Sequence, residues 1–223
     1  MTRKELAGRI DHTALGPEVS PERVRQLCAE AKEWGFYGVC VNPSYIELAR
    51  KELEGAPVKI VTVIGFPHGA TLPQAKACEA RAAVEAGADE LDMVINIAAL
   101  KAKDYQAILK ELAAVREALV RAPRRIVLKA ILETGLLSDE EKVAGAILAQ
   151  AGGADFVKTS TGFGPRGATV EDVRLLRAAV GPQMKIKAAG GIRDYQAAVA
   201  MIEAGADRLG TSAGVAIITG APE

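Results

Sequence analysis

Short apolar runs alternate with amphipathic stretches along the whole chain. Runs rich in β-branched residues predict buried strands, whereas apolar residues spaced three and four apart predict helices. The pattern predicts eight strands, at residues 10–13, 38–41, 58–64, 90–95, 126–132, 154–157, 184–187 and 207–210. Helices are predicted between the strands, with a short helix over residues 2–9 before the first and another from about Ser212 after the last.

Capping residues mark the ends of several predicted helices. Ser20 followed by Pro21 predicts a helix that begins there and ends at Gly35, and Ser138 before three acidic residues is a second strong start. Three similar segments, E-A-G-A-D at 85–89 and 203–207 and A-G-G-A-D at 151–155, predict a helix end that turns tightly into a strand. Their glycines suit helix caps, so the repeats are interpreted as structural.

The alternation of strands and helices predicts the fold class. Strands joined by helical crossovers lie parallel, and eight such units close a barrel. We therefore expect an α/β protein with a single (β/α)8 TIM-barrel domain over residues 1–223 and a short N-terminal helix. A doubly wound open sheet is the alternative, although no G-x-G-x-x-G follows the first strand to favour dinucleotide binding.

Composition excludes several functional classes. The 28 basic and 28 acidic residues balance without long runs of one sign, which argues against a nucleic-acid partner. The three cysteines contain no C-x-x-C pair, so neither a disulfide scaffold nor a metal site is expected. Apolar runs are too short to span a membrane, and the charged amino terminus does not resemble a signal peptide. These features predict a cytoplasmic protein.

Lys158 stands where a short buried strand gives way to the turn T-S-T-G. The carboxyl ends of barrel strands carry the chemistry of this fold. Burial and a neighbouring cation both lower the pKa of a lysine, which frees its amine to form a Schiff base with a carbonyl substrate. The alternative interpretation is a lysine that pairs with a carboxylate or extends to the rim of the barrel.

Asp92 and Lys187 lie among apolar neighbours on other predicted strands, so a barrel would bring them to the same mouth. A cationic Lys187 would lower the pKa of Lys158, and Asp92 could transfer protons or hold an ammonium group. A paired structural aspartate is the alternative for Asp92. Lys129 and Glu133 are predicted to form a supporting ion pair.

Two glycine-rich segments, 188–192 and 210–214, each follow a predicted strand and lead toward a helix. Backbone N–H groups in such segments bind phosphate, and barrels often place this site after strands seven and eight. Small residues also serve tight turns, so each segment alone indicates little. Ser212 can donate its hydroxyl, while Arg193 is equally compatible with a solvated surface position. Asp11 and Thr13 either bind a substrate or cap their turn.

Several motifs together resemble the deoxyribose-phosphate aldolase family. They are D-F-V-K-T-S-T-G at 155–162, K-A-A-G-G-I-R at 187–193, E-L-D at 90–92, I-D-H-T at 10–13, F-P-H-G at 66–69 and G-T-S at 210–212. The resemblance covers nearly the whole chain. It implies a class I aldolase that needs no metal or cofactor and reversibly cleaves 2-deoxy-D-ribose 5-phosphate to D-glyceraldehyde 3-phosphate and acetaldehyde.

The resemblance also implies residue roles. Lys158 would form the Schiff base, Asp92 would donate and accept protons, and Lys187 would tune Lys158. The expected substrate and phosphate contacts are Gly190, Gly191, Gly210, Ser212, Thr159, Thr13 and Asp11. The partners expected are the phosphorylated sugar, acetaldehyde and further copies of the chain in a dimer or tetramer, since barrels commonly form oligomers.

This sequence departs from the family pattern in two places. Phe163 follows K-T-S-T-G, where some members have a lysine near the phosphate, and no terminal tyrosine ends the sequence. We hypothesise that Arg166 supplies the missing charge. Three other functions fit parts of the pattern: a Schiff-base aldolase for another phosphorylated sugar, a non-catalytic phosphosugar-binding barrel, and a flavin-binding barrel.

Overall fold

The computed structural model of the chain describes residues 1–120, 122 and 124–222. Eight strands hydrogen-bond to one another in chain order, all parallel, and the last pairs with the first to close a barrel. The strands are β1 (Ile10–Ala14), β2 (Gly38–Val41), β3 (Lys59–Ile64), β4 (Glu90–Val94), β5 (Val127–Ile131), β6 (Phe156–Lys158), β7 (Lys185–Ala189) and β8 (Arg208–Thr211). The predicted (β/α)8 fold is confirmed, and the open sheet is excluded.

Helices surround the barrel, beginning with the predicted N-terminal one. They are α1 (Arg3–Ala7), α2 (Pro21–Trp34), α3 (Ile46–Glu52), α4 (Pro73–Ala86), α5 (Ile97–Lys101), α6 (Tyr105–Leu119), α7 (Asp139–Ala151), α8 (Val170–Val180), α9 (Tyr195–Glu203) and α10 (Gly214–Thr219). The predicted caps are present: Ser20 accepts a hydrogen bond from the Arg23 amide at 3.3 Å, and Gly35 ends α2 in the left-handed conformation. Within the described ranges, no helix is long and apolar enough to cross a membrane.

Two short 3-10 turns differ from the sequence prediction. The helix expected to open at Pro43 starts as a 3-10 turn over Pro43–Tyr45 before α3. A second turn, Thr134–Leu136, follows β5 where no helix is predicted. Both turns lie just after a strand, where the chain changes direction toward the next helix, so they belong to the loops above the barrel.

The barrel separates two interiors. The large apolar core lies between the sheet and the helices, and Leu15, Cys40, Val61 and Val63 form a separate, small apolar cluster. Charged side chains fill much of the remaining inner space. Strand register places Asp92 beside Lys129 and Lys158 beside Lys187, so groups from four strands meet inside the barrel.

Candidate active site

Lys158 connects the barrel interior with a cavity at the carboxyl ends of the strands. It is the last residue of β6, and its side chain is 3% exposed. Its neighbours in the cavity wall include the loops after β1, β7 and β8, which enclose about 450 Å³. This volume is in the range of small-molecule sites. A buried amine therefore opens onto a space that can hold a small substrate.

Asp92 and Lys187 lie beneath Lys158, inside the barrel. Both side chains are fully buried and occupy the middle of β4 and β7, one layer below the rim where the sequence analysis placed them. The Nζ atoms of Lys158 and Lys187 each donate to Asp92 Oδ2 at 2.8 Å. Lys129 donates to the other oxygen, Oδ1, at 2.7 Å. The three residues expected at the site are thus brought together around a single carboxylate.

A wider ionic network supports this group. Lys187 also pairs with Asp11, Arg208 lies 2.9 Å from Asp11 and 3.2 Å from Glu90, and Lys129 lies 2.6 Å from Glu90. Apart from Lys158, the network has three carboxylates and three cations, namely Asp11, Glu90, Asp92, Lys129, Lys187 and Arg208. Their charges cancel, so the network is balanced when the Lys158 amine is neutral.

The surroundings shift the pKa of each central group. Burial lowers the pKa of Lys158, and the Lys187 ammonium lowers it further, although Asp92 opposes both effects. Burial alone would raise the pKa of Asp92, but the cations Lys129, Lys158 and Lys187 hold it well below its usual range. Burial disfavours the ammonium form of Lys187, but Asp11 and Asp92 outweigh burial and raise its pKa. Lys158 is therefore the lysine of this pair that becomes a free amine more easily.

The predicted ion pair between Lys129 and Glu133 is wrong. Lys129 points into the barrel toward Glu90 and Asp92. Glu133 lies beyond the end of β5, where its carboxylate accepts hydrogen bonds from the hydroxyl and the amide of Thr161. On a continuous strand, residues four positions apart would point to the same side of the sheet. The loop after β5 instead turns Glu133 toward the β6 loop.

The predicted phosphate segments line the far side of the cavity. Gly190 and Gly191 adopt the left-handed conformation with φ of 85° and 78°, which a residue with a side chain rarely adopts. Gly210 and Ser212 face the same space, and Thr13 lies nearby in the cavity wall. The Thr211 hydroxyl donates to the Ile192 carbonyl at 2.7 Å and so joins the two segments.

Two expected substrate contacts are engaged elsewhere. Asp11 is fully buried beneath the cavity in the ionic network, where it pairs with Lys187 and Arg208. The Thr159 hydroxyl donates to the Ala189 carbonyl at 3.2 Å and accepts from the Ala189 amide at 3.1 Å. Neither residue is in the cavity wall, and their role as substrate contacts stays a prediction. Thr159 instead links β6 to β7.

The cations near the cavity also differ from expectation. Arg166 is bound to the Asp172 carboxylate, with contacts of 2.5 and 3.2 Å, and does not line the cavity. Arg193 and Arg23 do line it, and Phe163 forms part of the same wall. Sequence analysis missed Arg23 because it resembles any polar residue in the first turn of an amphipathic helix. No sequence signal distinguishes it from Arg25 two residues later.

A (β/α)8 barrel that presents a buried lysine to a cavity at the strand ends defines a barrel enzyme of the aldolase class. The chain belongs to the DeoC/LacD family of aldolases, whose sequence profile matches residues 6–220. It is 55% identical over 225 residues to the deoxyribose-phosphate aldolase of Thermococcus kodakarensis, with full coverage of both chains. It is 54% identical to that of Streptococcus sanguinis, covering 95% of this chain and 94% of the relative.

A solved structure gives the same result for the fold and family. The tetrameric deoxyribose phosphate aldolase from Aeropyrum pernix superimposes with a TM-score of 0.89 at 36% identity, covering 98% of this chain and 91% of that one. The similarity includes almost every element from the first strand to the last helix, so it applies to the whole barrel.

Proposed function

We propose that this protein is a deoxyribose-phosphate aldolase that reversibly cleaves 2-deoxy-D-ribose 5-phosphate to D-glyceraldehyde 3-phosphate and acetaldehyde. The observation that carries the proposal is the buried Lys158 amine at the cavity, 2.8 Å from a carboxylate that a second lysine also contacts. Relatives covering this chain end to end have the same name, deoxyribose-phosphate aldolase. A non-catalytic sugar-binding barrel gives no reason to bury three lysines around one aspartate.

The reaction begins with the free amine of Lys158. Its nitrogen adds to the C1 aldehyde of the open-chain sugar, and loss of water leaves an iminium. The C3 hydroxyl then loses its proton, the C3 oxygen becomes the aldehyde oxygen of glyceraldehyde 3-phosphate, and the electrons of the C2–C3 bond neutralise the iminium as an enamine. Protonation at C2 and hydrolysis release acetaldehyde and restore the amine.

Asp92 is the proposed proton acceptor for the C3 hydroxyl, through an intervening water. Its pKa is held low by positive charges on Lys129, Lys187 and Lys158, so it is a weak base while the Lys158 nitrogen is cationic. Cleavage turns the cationic iminium on Lys158 into a neutral enamine, which removes one of these three charges. The pKa of Asp92 therefore rises in the step in which it receives the proton. Lys187 stays protonated and keeps Asp92 in place.

The phosphate end of the substrate is proposed to lie against the glycine segments. Gly190, Gly191, Gly210 and Ser212 line the side of the cavity formed by the β7 and β8 loops. Backbone N–H groups in such loops bind anions because they present several donors without a side chain in the way. The amine of Lys158 lies in the wall of the same cavity, so one substrate can reach both.

Borohydride trapping tests the proposed function. We expect acetaldehyde and borohydride to leave a two-carbon adduct on Lys158, mapped by peptide mass spectrometry, and Lys158→Leu to abolish it. Lys101→Leu is the control, because Lys101 is a half-exposed lysine outside this cavity wall. An adduct scattered over surface lysines, or none, would contradict the Schiff-base role. A panel of phosphorylated sugars then separates this activity from that of a related aldolase.

We further propose that the chain forms one domain, acts in the cytoplasm and assembles with copies of itself. The strands of the barrel come from both halves of the chain, which supports a single domain. Support for an oligomer comes from the tetramer described for the Aeropyrum pernix relative. Sedimentation equilibrium measures the subunit count, and a monomer at micromolar concentration would contradict this proposal.

A further inference from the structure

We propose that Arg23 determines specificity for the substrate phosphate and that Glu30 and His12 position its guanidinium. The inference rests on the proposed function and deepens it, since it adds a helix outside the glycine loops to phosphate recognition. Arg23 lies in the first turn of α2, which follows the loop after β1. Its side chain lines the same cavity as Lys158, Gly190, Gly191 and Ser212.

The guanidinium of Arg23 has donors available for a ligand. Its Nη1 lies 3.1 Å from Glu30 Oε2, and the side chain is 33% exposed. In the part of the chain that the structure describes, Glu30 is its one hydrogen-bonding side-chain partner, so Nε and Nη2 stay available. Guanidinium presents its N–H groups in a planar fork that suits two phosphate oxygens at once.

Glu30 is itself held from two further directions. The ring nitrogen His12 Nε2 lies 2.7 Å from Glu30 Oε2, and Gln26 Nε2 donates to Glu30 Oε1 at 2.8 Å. An ionised carboxylate accepts only, so the histidine nitrogen is the donor. His12 is 1% exposed on β1 and packs against the Phe36 ring, with centroids 5.0 Å apart. Glu30 is therefore fixed to the barrel, and it holds Arg23 over the cavity.

Few cations in the cavity wall are available to bind a phosphate, and Arg23 is one of them. The residue after T-S-T-G is the apolar Phe163, and Arg166 in the same loop is bound to Asp172. The cations of the cavity wall other than Lys158 are Arg23 and Arg193, and they face one carboxylate, that of Glu18. The positive charge that balances a phosphate dianion therefore comes from these arginines. The Arg23 guanidinium is held by the Glu30 carboxylate, which in turn contacts the buried His12.

The first experiment compares Arg23→Ala with Arg25→Ala. Arg25 lies on the same helix, is 51% exposed, and contacts Glu22 and Glu52 outside the cavity wall. Because a charge-assisted hydrogen bond is lost, we expect Arg23→Ala to lower kcat/KM for 2-deoxyribose 5-phosphate about tenfold more than for 2-deoxyribose. Inorganic phosphate should also inhibit 2-deoxyribose cleavage less strongly in this variant. Arg25→Ala should leave both the substrate preference and the inhibition by phosphate as in the wild type.

The second experiment tests the positioning role of Glu30. We expect Glu30→Ala to lower the preference for the phosphorylated substrate, and the double variant Arg23→Ala/Glu30→Ala to be no worse than Arg23→Ala alone. Glu30→Gln keeps an oxygen that accepts from His12 and Arg23, so it should retain most of the preference. Such non-additivity and rescue are expected of a residue that acts through Arg23.

Two outcomes would overturn the inference. The first is an unchanged substrate preference in Arg23→Ala, whether kcat/KM stays as in the wild type or falls equally for both substrates. The second is additive losses in the double variant, which would give Glu30 a role of its own. All measurements use variants that still cleave 2-deoxyribose through Lys158. A failure of the Arg23 inference can therefore be told apart from a failure of the aldolase proposal, because the latter would show as no adduct on Lys158 and no cleavage.

Discussion

At the scale of single residues, the proposed chemistry depends on the Lys158 amine, whose positive charge would have no matching carboxylate inside the barrel. Buried charges require partners, because an unpaired ion in a protein interior is costly. The carboxylates inside the barrel are already matched by Lys129, Lys187 and Arg208, so a protonated Lys158 adds one charge in excess. The lowered pKa of Lys158 follows from its burial together with the adjoining Lys187. The same contacts leave Asp92 anionic and available to move a proton.

Asp92→Asn is the test at this scale. The amide cannot accept the proton of the C3 hydroxyl, so we expect turnover to fall by about 10²–10⁴, while borohydride still traps an adduct on Lys158. Steady-state cleavage of 2-deoxyribose 5-phosphate measures the loss, and circular dichroism confirms folding. Asp139→Asn serves as the control, because that carboxylate is 78% exposed on α7. Normal turnover in Asp92→Asn would remove Asp92 from the mechanism.

At the scale of elements, the loops after β6 and β7 depend on close backbone packing. The Ala168 amide donates to the carbonyls of Ala189 and Gly190 at 3.1 and 3.0 Å. Gly167, one residue earlier, lies directly against Gly190, and a Cβ at Gly167 would come within 2.1 Å of the Gly190 carbonyl oxygen. The absent side chain at Gly167 therefore allows the β6 loop to support the proposed phosphate segment.

Gly167→Ala should separate these two loops. We expect the free energy of unfolding to fall by about 1–3 kcal/mol, as in other overpacked sites, and kcat/KM for the phosphorylated substrate to fall as well. Urea unfolding and steady-state kinetics measure the two effects. In Gly8→Ala the added Cβ meets its nearest atom at 3.5 Å, an ordinary contact, so this variant should be close to neutral. If Gly167→Ala had the same free energy of unfolding and the same kcat/KM as Gly8→Ala, the loops would tolerate the extra atom and the prediction would be wrong.

At the scale of the whole molecule, buried carboxylates link stability to pH. Burial alone would raise the pKa of Asp11, but Lys187, Arg208 and Lys129 lower it to about 2. Burial likewise opposes ionisation of Asp172, but hydrogen bonds from Arg166 and Lys142 lower its pKa to about 2. A carboxylate with a lowered folded-state pKa stabilises the fold above its unfolded pKa, about 3.9, and that contribution is lost as pH falls toward the folded value.

Asp172→Asn tests this linkage outside the active site. The free energy of unfolding should be higher for the wild type than for the variant at about pH 6. This difference should shrink as the pH falls from about 4, near the unfolded pKa of aspartate, toward the folded-state pKa of Asp172. Urea unfolding at intervals from about pH 6 to about pH 2 measures it. Glu171→Gln, at the exposed neighbouring position, is the control for removing one carboxylate from the same helix. A difference that stays constant with pH would contradict the linkage.

The sequence alone determined the order and type of the elements. The spacing of apolar residues and the capping residues are local properties of the sequence. They were therefore sufficient to predict the eight strands and nearly every helix. The same local reasoning selected Lys158, Asp92 and Lys187, because an ionisable residue inside an apolar strand stands out. Parallel strands joined by crossovers have few ways to pack, and eight of them close, so the barrel itself followed from the pattern.

Only the tertiary structure decided which groups meet. Lys129 contacts Asp92 rather than Glu133 because the register between β4 and β5 sets its neighbours. Arg166 turns to Asp172, while Arg23 reaches the cavity from a helix distant in sequence. Alternation along a strand says which face a side chain occupies, but its partner depends on barrel closure and on the path of each loop. Those are properties of the assembled molecule, and no local pattern encodes them.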